Sequence, residues 1–182
     1  MQKLFLFLII FFLAGASIAS EFELDEAQKK KREQDKIERA LENLSGDNYK
    51  SFEKSIFKFE QMGEEAVPIL VAHLKNNKED QKIRVNTIYT IGRLGAEAKG
   101  ATPIITPFLM DEDADTRAIA AIALGKIGPG AEDSVRILVN LLNDENEWVR
   151  KSVHDALRKI GTKEAKEAVR QYNQKKRNNT MH

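Results

Sequence analysis

The sequence predicts an all-α chain of repeated helix pairs, and three observations lead there. Dipeptides ending in glycine recur at a fixed step: Leu94-Gly95, Ile127-Gly128 and Ile160-Gly161 lie 33 residues apart, and Met62-Gly63 precedes them by 32. A gapless overlay of residues 95–127 on 128–160 matches loop and helix positions alike: Ile104 with Ile137, Leu109 with Leu142, Asp111-Glu112 with Asp144-Glu145, Arg117 with Arg150, and Ala123-Leu124 with Ala156-Leu157. Periods of this length mark stacked supersecondary units. Apolar residues also return at helical spacing, while no segment alternates apolar and polar residues over strand length between turn signals.

Residues 1–19 have the order of a secretory signal peptide: Met1-Gln2-Lys3, the apolar run Leu4 to Leu13, then small residues up to Ser20. Ser17 and Ala19 put the expected cut after Ala19. The apolar run is about half of what a membrane-spanning helix needs, so cleavage is the first reading and an uncleaved anchor the alternative. Export would place the protein outside the cytoplasm, in a periplasm or secreted. Lys3 is the only charge in this stretch, so cleavage leaves 28 basic and 28 acidic residues. That balance argues against a nucleic-acid or polyanion binder. The chain has no cysteine, which excludes disulfides, thiolate chemistry, cysteine-ligated metals and acylation at a lipobox.

Residues 20–62 read as a charged N-terminal cap and a divergent first repeat. Lys29-Lys30-Lys31-Arg32 sits in a charged helix with a narrow stripe of Ile37, Leu41 and Leu44; Ser45-Gly46-Asp47 breaks it, and Phe52, Ile56, Phe59 and Met62 line the next helix. Residues 63–161 hold three repeats, 63–94, 95–127 and 128–160, with helix pairs expected near 64–75 and 82–94, 99–110 and 113–127, and 132–143 and 145–160. In the middle repeat Pro103, Ile104, Phe108 and Leu109 give one apolar stripe. Thr116, Ala120, Leu124 and Ile127 give the other, after an acidic turn that suits a helix start. Pro68 and Pro103 fall near helix starts, where a missing N–H costs little. The closing glycines fall where left-handed helix caps are usual. Leu124 and Leu157 are expected to be buried at repeat junctions. Residues 162–182 make a capping helix, with Ala165, Ala168, Val169 and Tyr172 on one face, and a basic tail.

The pattern Asp113-Ala114-Asp115-Thr116-Arg117, followed by Ala123-Leu124-Gly125-Lys126-Ile127-Gly128, resembles the HEAT-like repeats in the short form first associated with phycobilisome lyases. The fourth unit departs from it with Arg158 at the helix glycine, and the second keeps Gly92 but has Thr90-Ile91 for Ala-Leu. The resemblance covers about residues 63–161. It implies a right-handed α-solenoid of about four helix pairs closed by a C-terminal helix, with the second helices lining the concave side.

Reactive constellations are sparse. His73 and His154 fall in different repeats and His182 is terminal, so packed or solvated histidines are expected rather than metal ligands, and neither a metal nor a cofactor is expected. The acidic turns have no glycine-bearing calcium loop after them and read as helix caps. Arg84, Arg117 and Arg150 recur at one position and read as structural partners of the acidic turns between repeats, with a row of contacts to an acidic ligand as the alternative. Residues 161–182 carry six bases and two acids, which a solvated C-terminus or an anionic contact would both explain. Two triplets, Asn43-Leu44-Ser45 and Asn178-Asn179-Thr180, match the glycosylation acceptor pattern.

The expected function is therefore that of an exported non-catalytic scaffold or adaptor for a protein partner, since a solenoid offers an extended surface. An enzyme accessory or lyase-like subunit acting on a bound protein is the alternative, and a nucleic-acid-binding module comes third. The expected binding rows run along the second helices at spacings of 4, 3 and 4: Lys82, Asn86, Tyr89 and Arg93; Asp115, Ile119, Ile122 and Lys126; Trp148, Ser152, Asp155 and Lys159. Tyr89, Ile119, Ile122 and Trp148 would be the apolar anchors, flanked by Asp155 and beneath a basic ladder of Arg93, Lys126 and Lys159. Repacking against neighbouring helices is the other explanation of Ile119 and Ile122.

Overall fold

A computed structural model describes the backbone of residues 2–77 and 80–180 and the side chains of residues 24–77 and 80–178. The signal-peptide reading of residues 1–19 lies outside the described side chains, as do Asn179 and Thr180 of the glycosylation triplet. The chain divides into two units, residues 1–39 and 40–182. The first unit is the N-terminal part of α1 (Gln2–Ser45), whose charged surface carries ion pairs from Lys29 to Asp25 and Glu26 at 3.0 and 2.9 Å. Among the described residues no helix is long and apolar enough to cross a membrane.

The second unit is an all-α solenoid. After the end of α1 it runs through α2 (Tyr49–Met62), α3 (Ala66–Asn76), α4 (Gln81–Arg93), α5 (Thr102–Ile105), α6 (Ala114–Ile127), α7 (Val135–Leu141), α8 (Glu147–Ile160) and α9 (Lys163–Thr180). The second helix of each pair, α2, α4, α6 and α8, packs on its counterpart in the next repeat, and the first helices form the other layer. Each second helix starts the same way. The side chains of Asn48, Asp80, Asp113 and Asn146 accept the backbone N–H of Ser51, Ile83, Thr116 and Val149, satisfying a donor that a helix end leaves orphaned. The acidic turn at 111–113 thus caps α6 through Asp113, as its position implies, whereas α8 is capped by Asn146 and Asp144 instead accepts the Asn146 N–H and the Arg117 guanidinium. At the other end Gly128 takes φ +74°, a conformation that a side chain would strain, and Gly63, Gly95 and Gly161 share its positive φ.

Two glycines have a different task. A Cβ on Gly92 would stand 2.7 Å from Ala123 Cα, and one on Gly125 would stand 2.7 Å from Ala156 Cα. These glycines, in the last turns of α4 and α6, let α4 approach α6 and α6 approach α8 backbone to backbone. Arg158 stands at the equivalent position of α8, where no other second helix packs among the described residues, and its side chain is 66% exposed.

The first helices differ from expectation. Residues 99–110 are not one α-helix: a 3-10 stretch over Gly95–Ala101 leads into the single turn of α5, and a second 3-10 stretch covers Thr106–Met110. Pro107 has no N–H to give the carbonyl four residues back, so an α-helix cannot continue through it. The buried face also differs from the expected stripe. Ala101, Ile105 and Leu109 are fully buried, whereas Pro103 is exposed and Ile104 and Phe108 are half-buried. In the fourth repeat Pro129 and Gly130 fall in another 3-10 stretch, Gly128–Ser134, and α7 begins only at Val135. Second-helix positions match the reading throughout: Thr116, Ala120, Leu124, Ile127 and Leu157 are all buried. The C-terminal helix exceeds expectation, since α9 continues through Lys175 and Arg177, residues whose straight side chains suit helices.

Candidate partner-binding surface

The arginine ladder is resolved by its bonds. Arg117 Nε and Nη2 donate to the two carboxylate oxygens of Asp144 at 2.9 and 3.0 Å, while Nη1 donates to the carbonyls of Asp111 and Glu112 at 2.9 Å each. Arg84 Nε lies 3.4 Å from Asp111. Each of these arginines braces a turn in the following repeat, and the structural reading of the ladder holds.

The expected binding rows separate into two kinds of residue. Lys82 pairs with Asp47, and Asn86 Nδ2 donates to the Leu44 carbonyl at 2.6 Å, so both tie α4 to the first repeat. Ser152 is buried at 6% exposure, which removes it from any outer surface: it lies on the side of α8 turned to its neighbours, where a small side chain packs. Ile119 and Ile122 are half-buried, as is Lys126. Asp155, Lys159 and Trp148 are exposed, Trp148 at 41%. Asp155 sits 3.5 Å from His154 Nδ1 and 3.9 Å from Arg158.

Tyr89 gathers the remaining groups. Its ring stacks on Phe52 of α2 with centroids 6.3 Å apart. Lys126 Nζ stands 4.8 Å and the Arg93 guanidinium 6.0 Å from the Tyr89 centroid, and Arg93 also pairs with Glu60 at 2.7 Å. Three successive second helices thus meet in one aromatic and cationic cluster, in which ring quadrupoles attract both cations. Burial holds the Lys126 ammonium below its ordinary pKa, and the neighbouring charges of Arg93 and Lys159 lower it further against the opposing field of Tyr89.

Two surface aromatics of α2, Tyr49 and Phe57, are absent from the rows read off the sequence. Phe57 of α2 is 62% exposed. The 32-residue step from Met62-Gly63 to Leu94-Gly95 makes it the counterpart of Tyr89, so extending the rows into the first repeat would have found it.

Of the histidines, His73 is half-buried with its pKa lowered by burial, and Asn77 Nδ2 lies 3.4 Å from its Nδ1. His154 Nε2 lies 3.2 Å from Asn173 Oδ1, and its ring lies 5.9 Å from that of Tyr172, which joins α8 to α9. Among the described residues no group of three or more histidines and carboxylates is placed to hold a metal ion.

Comparison with known proteins agrees with this architecture. No curated protein matches the chain at a significant level. Among solved structures, the complex of CpcE and CpcF of phycocyanin lyase from a Nostoc species aligns with a TM-score of 0.67 at 15% identity, over 76% of this chain and 86% of that one. The crystal structure of an engineered protein aligns with a TM-score of 0.54 at 19% identity, over 76% of this chain and 68% of the other. Both likenesses are of fold. Residues 102–180, from α5 through α9, match the model of the HEAT repeats family. The α-solenoid architecture and the HEAT repeats matched over residues 102–180 are thus what these comparisons share with this chain.

Proposed function

We propose that this chain is an exported, non-catalytic scaffold that binds a protein partner through the concave surface lined by its second helices. The observation that carries the reading is the Tyr89 cluster, a half-exposed aromatic surface flanked by Arg93 and Lys126. Exposed Phe57 and Trp148 on α2 and α8 extend the set of anchors to either side. Interfaces are enriched in such aromatics at their centre and in polar groups at their rim. The cations favour a partner with an acidic flank, mainly by steering its approach. Export rests on the order of charges, apolar run and small residues in 1–19.

The fold shared with the phycocyanin lyase complex supports a second reading, an accessory that holds a bound protein for an enzyme. The two differ in turnover: a scaffold retains a partner without converting it. The experiment is a crosslinking pull-down from the native envelope or medium, using wild type and a Tyr89→Ala, Trp148→Ala double variant whose melting is checked first. A stoichiometric partner held by wild type and lost from the folded variant is expected. Equal retention by both would place binding on another face, and conversion of the retained protein would favour the second reading.

A further inference from the structure

The arginine ladder has an open end. Arg84 and Arg117 each reach an aspartate one repeat ahead, Asp111 and Asp144. Arg150 occupies the same place in the last repeat. Its Nη1 donates to the carbonyls of Asp144 and Glu145 at 2.6 and 2.8 Å, repeating the bonds Arg117 makes to its own turn. No fifth turn follows, and 33 residues beyond Asp144 stands Arg177 within α9. Arg150 therefore has no carboxylate within ion-pair distance among the described residues.

The vacant side opens into a groove of about 540 Å³, walled by Leu142, Asn143 and Tyr172 and carrying Arg150, Lys151, Lys175 and Lys176. Two acids also line it, and both are engaged. Asp144 is held by Arg117 and accepts the Asn146 N–H, and Glu147 pairs with Lys151 at 2.8 Å. The groove keeps a cationic excess centred on Arg150 and Lys175.

We propose that this groove binds an acidic peptide segment of a protein partner, with one carboxylate taking on Arg150 the place that Asp144 has on Arg117. A second carboxylate would meet Lys175, and the rings and chains of Tyr172 and Leu142 would cover the intervening peptide. The fork of Arg117 shows the geometry this position supports, two parallel N–H bonds to one planar carboxylate. Apolar walls beside the charges suit a chain rather than a lone ion. This site is at the C-terminal end of the stack and does not depend on the Tyr89 cluster.

The test is fluorescence anisotropy of a labelled six-residue peptide of alternating glutamate and glycine, titrated with the full chain at low salt. Its glutamine counterpart is the reference. Arg150→Gln and Lys175→Glu are each expected to weaken binding about tenfold, the loss typical of a charge-assisted pair. Lys163→Glu, at the far end of α9, should leave it within about twofold, since removing charge at a distance is screened. Arg150 also supports its turn, so Lys175→Glu keeps the test decisive if Arg150→Gln melts early. Equal binding of the glutamine peptide, unchanged binding in Lys175→Glu, or an equal loss in Lys163→Glu would overturn the proposal. So would displacement by inorganic phosphate at matched ionic strength, which would make the ligand a free oxyanion.

Discussion

The Arg117–Asp144 pair is the best-made polar contact of the stack, because both side chains are buried, at 10% and 6% exposure, and every bond is charge-assisted. Burial pushes the Asp144 carboxyl up. The bonds from Arg117 and the Asn146 N–H, with the fields of Arg117 and Arg150, outweigh it and hold the pKa below the ordinary carboxylate value. A depressed folded pKa gives stability that is complete above the unfolded value of about 3.9 and is lost as pH falls through the folded one. Asp144→Asn should therefore cost about 3 kcal/mol at pH 7, since it leaves Arg117 buried without its counter-charge. Below about pH 4 the difference from wild type should shrink. Thermal melts of both proteins from neutral to acid pH check this, and a pH-independent gap would count against it.

At the level of the element, Gly92 and Gly125 in the last turns of α4 and α6 are poor helix formers that serve the close contact between helices. Gly125→Ala should destabilise by about 1 to 3 kcal/mol despite its better helix propensity, because the new Cβ meets Ala156 on α8. Adding Ala156→Gly should recover part of the loss, and chemical denaturation of the single and double variants measures it. An additive double variant would show that the two positions do not touch. The second helices were legible in the sequence because cap, stripe and closing glycine agree in each repeat. The first helices were less so: Pro107, Pro129 and Gly130 fall in 3-10 stretches, so the α-helical segments there are shorter than the sequence pattern implies. Of the candidate surface, the Tyr89, Arg93 and Lys126 positions followed from repeat spacing. The roles of Lys82, Asn86 and Ser152 did not, because they depend on what the preceding and following repeats place opposite them.

For the whole molecule, a solenoid's stability is a sum of neighbouring interfaces, so its ends need solutions of their own. Here the C-terminal end is closed by α9 on α7 and α8, with Ala165 fully buried, while Arg158 and Arg150 show that the repeat pattern stops. Export predicts that protein made in its own host begins at Ser20, which intact-mass measurement reads directly; a full-length mass in the membrane fraction would contradict cleavage. The central claim, that a protein partner lies on the second-helix face, is tested most directly by site-specific photocrosslinking in the native host. A benzophenone side chain replaces either Phe57, exposed on α2, or Arg136, exposed on α7 in the other layer. A single discrete adduct from position 57 and none from position 136 is the result expected; an adduct from position 136 alone would contradict it.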